Sequence, residues 1–174
     1  MHSLTPNYSN FIRIGRVTYY DATNGKSPQM IKGRLQLFQE QLYFSIEQSQ
    51  DALKQWNQLK NNWSSISTIP FTTTLFYQMF QKIAEERWIH RSSSMEDMTV
   101  LFNLQFQLPV FLSMHQNIDI QKMIEPIPEG KHTVYQHFFF PQSIEQSLAE
   151  EQIERAAQFF DHIHGGHYTI DWIK

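Results

Sequence analysis

Val100-Leu101-Phe102-Asn103-Leu104-Gln105-Phe106-Gln107-Leu108 alternates apolar with mostly polar residues, beginning from Thr99. Successive side chains of a strand point to opposite faces, so this period of two reads as a half-buried strand ending at or before Pro109, which has no N–H to give a ladder. Just upstream, Leu75, Phe76, Met79, Phe80, Ile83, Ala84 and Trp88 recur at helical spacing. Thr72 or Thr73 is placed to cap that helix. These two neighbouring stretches, one pleated and one helical, decide the fold class.

Working towards the N-terminus, Ser49 is placed to cap a helix from Gln50, with Asp51 in its first turn and Ala52, Leu53, Trp56, Leu59 and Trp63 on one face. Ser64 to Pro70 reads as a connector. Before it, β-branched and aromatic residues suggest three strands: Phe11 to Tyr20, Met30 to Phe38 and Leu42 to Ile46. The Asn24-Gly25 pair marks a turn after the first, and Gln39-Glu40-Gln41 reads as a polar break between the others. Residues 1–9 look like a loose arm, leaving residues 10–174 as a single domain.

Towards the C-terminus, Arg91 to Ser94 reads as a break, and Ile118 to Ile124 as a helical turn or two before Pro126 and Pro128. A strand covers His132 to Phe140. Ser143 opens a third helix, which Gly165-Gly166 stops, and His167 to Ile173 forms a last strand with Tyr168, Ile170 and Trp172 on one face. The order βββααββαβ gives an α+β fold: a mainly antiparallel sheet of about six strands with three helices packed on one side.

Composition narrows the function. The chain has 174 residues and no Cys, which removes disulfides, thiolate metal sites and Cys nucleophiles. Net charge is -3, against a dedicated nucleic-acid binder. The most apolar stretch, Met98 to Met114, falls short of the ~20 residues that span a bilayer and is interrupted by amides and Pro109. No secretory leader pattern is present in Met1 to Asn10, which points to a cytoplasmic protein. Nineteen Gln take the place of many charged residues and read as uncharged solvent faces. Neither a nucleophile elbow nor a phosphate-binding glycine loop occurs; Asn24-Gly25-Lys26-Ser27 lacks the first glycine, Tyr20 standing in its place. The adjacent acids Glu85-Glu86, Glu96-Asp97 and Glu150-Glu151 read as solvated faces.

Two groups of residues stand out. Asp161-His162-Ile163-His164-Gly165-Gly166-His167 is the one metal-like cluster. Residues two apart on a helix diverge by ~200°, so His162 and His164 cannot share a metal, whereas Asp161 and His164 share a face and the glycine turn could return His167 to them. Asp161, His164 and His167 are therefore a candidate divalent-metal triad. Arg13, Arg16, Lys32 and Arg34 could cluster on the first hairpin, as a patch for an acidic partner, as charges that protect an edge strand, or as partners of the acidic third helix.

Aromatics make up 14% of the chain. Trp56, Trp63, Phe76, Phe80, Trp88, Phe138, Phe139, Phe140, Phe159, Phe160 and Trp172 exceed what one sheet–helix layer easily hides. The expectation is a non-enzymatic protein-interaction module, without cofactor, that self-associates or binds a protein partner through an aromatic-rich face, with a homo-oligomer as the natural form. A metal-dependent enzyme built on Asp161, His164 and His167 is the alternative, and a carrier of an apolar ligand the second alternative.

Overall fold

The computed structural model describes residues 3–48 and 53–174. Among them are five α-helices and one four-stranded antiparallel sheet, so the class is α+β, but with neither six strands nor three helices. In chain order the elements are β1 (Ile12–Asn24), α1 (Gln29–Gln48), α2 (Lys54–Ile66), α3 (Leu75–Ala84), α4 (Ser94–Phe106), β2 (Val110–Ser113), β3 (Gly130–Pro141), α5 (Gln146–His164) and β4 (His167–Ile173). The sheet order is β2-β3-β1-β4, every neighbour antiparallel.

The largest departure is the stretch that set the fold class. Val100 to Leu108 is not a strand; most of it is the second half of α4. From Ser94 to Leu104 every residue of this helix is buried, so it has no wet face to impose a period of 3.6. The alternation read as pleating combines a buried amide, Asn103, with the exposed Gln105 and half-buried Gln107 at the end of the helix. Ser93 starts the helix by accepting the Glu96 N–H, and Glu96 and Asp97 sit in the first turn, where acids favour the dipole. Both acids are buried, contrary to a solvated face, and Ser92, Ser93 and the Arg91 N–H bond to them. Gln107, at φ 53°, ends the helix in the left-handed region.

The second and third expected strands, Met30 to Phe38 and Leu42 to Ile46, are one helix, α1. Ile31, Leu35, Gln39 and Leu42 line its buried face. Gln39 looked like part of a polar break because an amide occupies a core position. It is held there by two hydrogen bonds to Ile89, Nε2 donating to the carbonyl at 3.0 Å and Oε1 accepting the N–H at 2.7 Å. The cap at Ser49 with Asp51 and Ala52 falls outside the described residues. α2 continues to Ile66, into the expected connector, and α3 is capped by Thr74 rather than Thr72 or Thr73, with Trp88 beyond its end.

The other elements agree with the sequence pattern. β1 begins as expected and runs on through Asn24, past a bulge after Tyr19 where Asp21 takes φ 55°. Residues 120–122 form a 3-10 turn, and β3, the glycine stop of α5 and β4 lie where expected. Residues 3–5, read as a loose arm, are tied to the end of α2: Leu4 bridges Ser67, and the Thr5 N–H donates to the Ile66 carbonyl at 3.0 Å.

One sheet face carries Gly15, Val17 and Tyr19 from β1 with Gln136 and Phe138 from β3, and α4 and α5 cover it. Tyr19 packs on Phe160 of α5 with ring centroids 4.1 Å apart, and Phe102 of α4 meets Phe138 at 6.2 Å. Gly15 makes this approach possible, since a Cβ there would lie 2.6 Å from Ile153 Cδ1. α1 packs on α4 and α3, forming the outer layer. A second aromatic group, Trp56, Phe71, Phe76, Tyr77 and Phe80, joins α2 to α3. No helix of the described residues is long and apolar enough to cross a membrane.

The edge strand β2 is closed by other parts of the chain. Asn103 Nδ2 donates to the Val110 carbonyl and Asn103 Oδ1 accepts the Val110 N–H, both at 2.9 Å. Two residues on, the Leu112 N–H donates to the Met123 carbonyl and its carbonyl accepts from the Glu125 N–H. An edge so satisfied offers no free ladder to a passing strand.

Gly166, between α5 and β4, is required by space as well as by conformation. It has φ 89°, and a Cβ would lie 2.1 Å from the Tyr20 carbonyl oxygen. Gly166→Ala is expected to cost more than about 2 kcal/mol in urea denaturation, because neither backbone can yield without breaking the β1–β4 ladder. Gly33→Ala is the opposite control: nothing lies within 4 Å of its Cβ position on α1, and a gain of about 0.5–1 kcal/mol is expected.

Candidate functional site

The residues singled out by the sequence do not converge. Among the described residues no group of three or more His, Asp or Glu side chains could hold a metal ion, so Asp161, His164 and His167 are not a ligand triad. The reason is the direction of each side chain. His164 points inward from the last turn of α5: Nδ1–H donates to the Phe160 carbonyl and Nε2 accepts from Ser94 Oγ, each at 2.8 Å. The carbonyl fixes the tautomer, since only a protonated Nδ1 can face it. His167 lies beyond the glycine turn on β4, exposed and stacked on Tyr20 with centroids 4.9 Å apart.

A serine hydroxyl on a histidine nitrogen is also the pairing that activates nucleophilic serines. Ser94 and His164 are 3% and 4% exposed, so no acyl substrate reaches the hydroxyl, and the pair clamps the end of α5 to the start of α4. Burial pushes the His164 imidazole down to about 4, opposed in part by the Phe160 carbonyl.

The four basic residues are also dispersed. Arg13 and Arg16 are three apart on β1, hence on opposite sheet faces. Arg13 donates to Gln146 Oε1 at 2.6 Å and to the Ile144 carbonyl, bracing the entry to α5. Arg16 grips Asp171 of β4 with two hydrogen bonds, of 3.1 and 2.6 Å, so its acidic partner is a strand residue rather than the third helix. Lys32 and Arg34 lie on α1, not on a hairpin, and β1 is a central strand with no edge to protect. Beside Arg16, His137 is buried, and desolvation followed by the Arg16 charge lowers it to about 4.

Most of the aromatic surplus is internal. Phe76, Phe80, Phe138, Phe139, Phe140, Phe160 and Trp63 are core residues, and of the eleven rings counted in that surplus only Trp88 is among the exposed large hydrophobics. Three of the six exposed large hydrophobic side chains among the described residues lie on the outer side of α1. Met30, Leu37 and Phe44 are 49%, 56% and 57% exposed, and they stand seven residues apart along one ridge. Tyr43 beside them meets Trp88 edge-on at 6.2 Å, extending the ridge at its C-terminal end. Reading Met30 to Ile46 as strands concealed this surface, because the ridge exists only once Ile31, Leu35 and Leu42 are turned inward.

The fold and this surface define an α+β protein with a sealed sheet edge and one helix whose outer ridge is bare. Over 188 aligned positions, covering 90% of both chains, the sequence is 27% identical to a Bacillus subtilis (strain 168) protein whose name reads "Uncharacterized protein YhzB". No family model matches the chain. No solved structure matches it either.

Proposed function

We propose that the protein is a non-enzymatic interaction module that self-associates through the outer ridge of α1. The observation that carries this reading is the exposed Met30, Leu37 and Phe44 at seven-residue spacing, a repeat that returns to nearly the same side of a helix every two turns. The ridge spans about 21 Å, given 1.5 Å per residue. Leu37 lies midway between the other two. Two copies placed antiparallel therefore set Leu37 against Leu37 and Met30 against Phe44, a self-complementary two-fold contact. Charge favours the same arrangement: Lys32 and Arg34 lie in the first half of α1, Glu40 and Glu47 in the second, so antiparallel pairing opposes unlike halves.

Light scattering on the full chain tests this reading. A dimer fraction rising between about 10 and about 300 μM is expected. Leu37→Glu, which places two carboxylates at the two-fold axis, is expected to give a monomer whose thermal midpoint below about 10 μM, where the wild type is also monomeric, is unchanged, because the site is on the surface. A monomeric wild type over that range, or a dimer that survives Leu37→Glu, overturns self-association through α1.

A further inference from the structure

We propose that β4 takes up an extended, basic segment of a partner protein as a fifth strand of the sheet. The opposite edge, β2, is sealed by Asn103 and by Met123 and Glu125, whereas β4 pairs with β1 alone. The ladder shows which backbone groups of β4 are free. The Gln142 N–H donates to the Phe11 carbonyl at 2.9 Å, in register with Ile12 opposite Pro141. Hydrogen-bonded pairs alternate along antiparallel strands, so Arg13, Gly15 and Val17 turn their N–H and C=O groups to β3, and Ile14, Arg16, Thr18 and Tyr20 turn theirs to β4. Those groups are met by Ile173, Asp171, Thr169 and His167. Tyr168, Ile170 and Trp172 therefore present their N–H and C=O groups outward, and among the described residues nothing bonds to them.

β4 also lacks the usual guards of an edge, which are charge, Pro, a bulge or brevity. It runs seven residues, His167–Ile173, without Pro, Lys or a register shift, and its one carboxylate, Asp171, is held by Arg16. No residue of the strand is buried.

The chemistry beside the edge selects the occupant. Glu150, Glu154 and Asp161 fall within ~40° of one another around α5, given ~100° per residue. The Tyr168 hydroxyl donates to Glu154 Oε1 at 2.6 Å, which sets this acidic stripe over β4. None of the three has an ion-pair partner among the described residues, since Arg155, the one arginine of α5, is taken by Glu151. A strand added to β4 lies beneath the stripe. Lys or Arg side chains there lay their stems over Ile170 and Trp172 and bring their charges to the carboxylates. β-branched residues suit the alternate positions. A second copy of the chain does not fit. Two β4 strands paired about a two-fold axis put both α5 helices on one face of the joined sheet, acidic stripe against acidic stripe.

The test follows amide chemical shifts of the full chain with three blocked heptapeptides. One alternates Lys and Val, the second has Glu for Lys, and the third has Pro for Val, which keeps the charge but forbids a strand. The Lys–Val peptide is expected to bind saturably below about 1 mM, with its largest shifts at Tyr168, Ile170 and Trp172, and the other two at least about tenfold more weakly. Glu150→Gln combined with Glu154→Gln, a surface change, is expected to weaken the Lys–Val peptide by about fivefold to tenfold at nearly the same urea midpoint. Ile170→Pro removes one outward N–H without taking a bond from β1, and is expected to weaken it similarly. Equal binding of the Lys–Val and Lys–Pro peptides, shifts centred away from β4, no saturable shift by about 5 mM, or an affinity unchanged by the double Gln variant overturns the proposal. So does a dimer that survives Leu37→Glu but is lost in Ile170→Pro, which assigns the edge to a second copy.

Discussion

Lowering the pH from 7 to 5 is expected to remove about 4 kcal/mol of folding stability, a large share of the ~5–15 kcal/mol that a domain possesses. The cause is the pair of buried imidazoles, His137 and His164, each held at about 4 in the native state against an ordinary 6.5. Below pH 6.5 the unfolded chain takes up a proton on each, while the native chain takes it up only near pH 4. The unfolded state therefore binds more protons throughout that window, and stability falls with falling pH by up to about 1.4 kcal/mol per unit for each histidine. Above 6.5 both states are neutral and the contribution is fully present; below about 4 both are charged and no more is lost. Urea midpoints at pH 7 and pH 5 measure the loss. His137→Phe keeps an apolar ring in the site and is expected to halve the pH dependence. A midpoint unchanged between the two pH values would show that both imidazoles reach water.

The second large effect is expected from Asn103→Leu, with a loss of about 4 kcal/mol. Asn103 is wholly buried and closes the outer edge of β2 by bonding both polar groups of Val110, while also donating to the Thr99 carbonyl at 2.8 Å. Leucine fills a similar volume but leaves the Val110 N–H and carbonyl buried and unpaired, at about 1–3 kcal/mol each. Hydrogen exchange at the Val110 amide should accelerate with the loss of global stability. A cost below about 1 kcal/mol would mean that water replaces the amide.

These same amides explain what could and could not be read beforehand. β1, β3 and β4 declare themselves through β-branched and aromatic residues, and α5 through a wet face and a glycine stop. α1 and α4 do not, because Gln39, Thr99 and Asn103 occupy core positions where pattern reading expects hydrocarbon. Each serves the backbone or another buried side chain, as in the run from the Tyr19 hydroxyl to Gln136 and on to Thr99. One signal was available. Ser93 followed three residues later by Glu96, ahead of an apolar run, is a helix-opening signature, and it outweighs alternation. His164 could not be placed from spacing, since a helix end does not reveal which of its sides meets a neighbouring helix. The ridge on α1 was equally hidden, because a surface is known only after the interior has been assigned.

The position of β1 has a consequence for synthesis. Its partners are residues 130–141 and 167–173, so both of its ladders join parts of the chain more than a hundred residues apart. While the ribosome is still translating the helical middle, this β-prone segment has nothing native to pair with and must be shielded by α-helical neighbours or a holdase. Slowed elongation before residue 130 should therefore raise aggregation rather than relieve it, the reverse of what is expected for a chain built from local contacts.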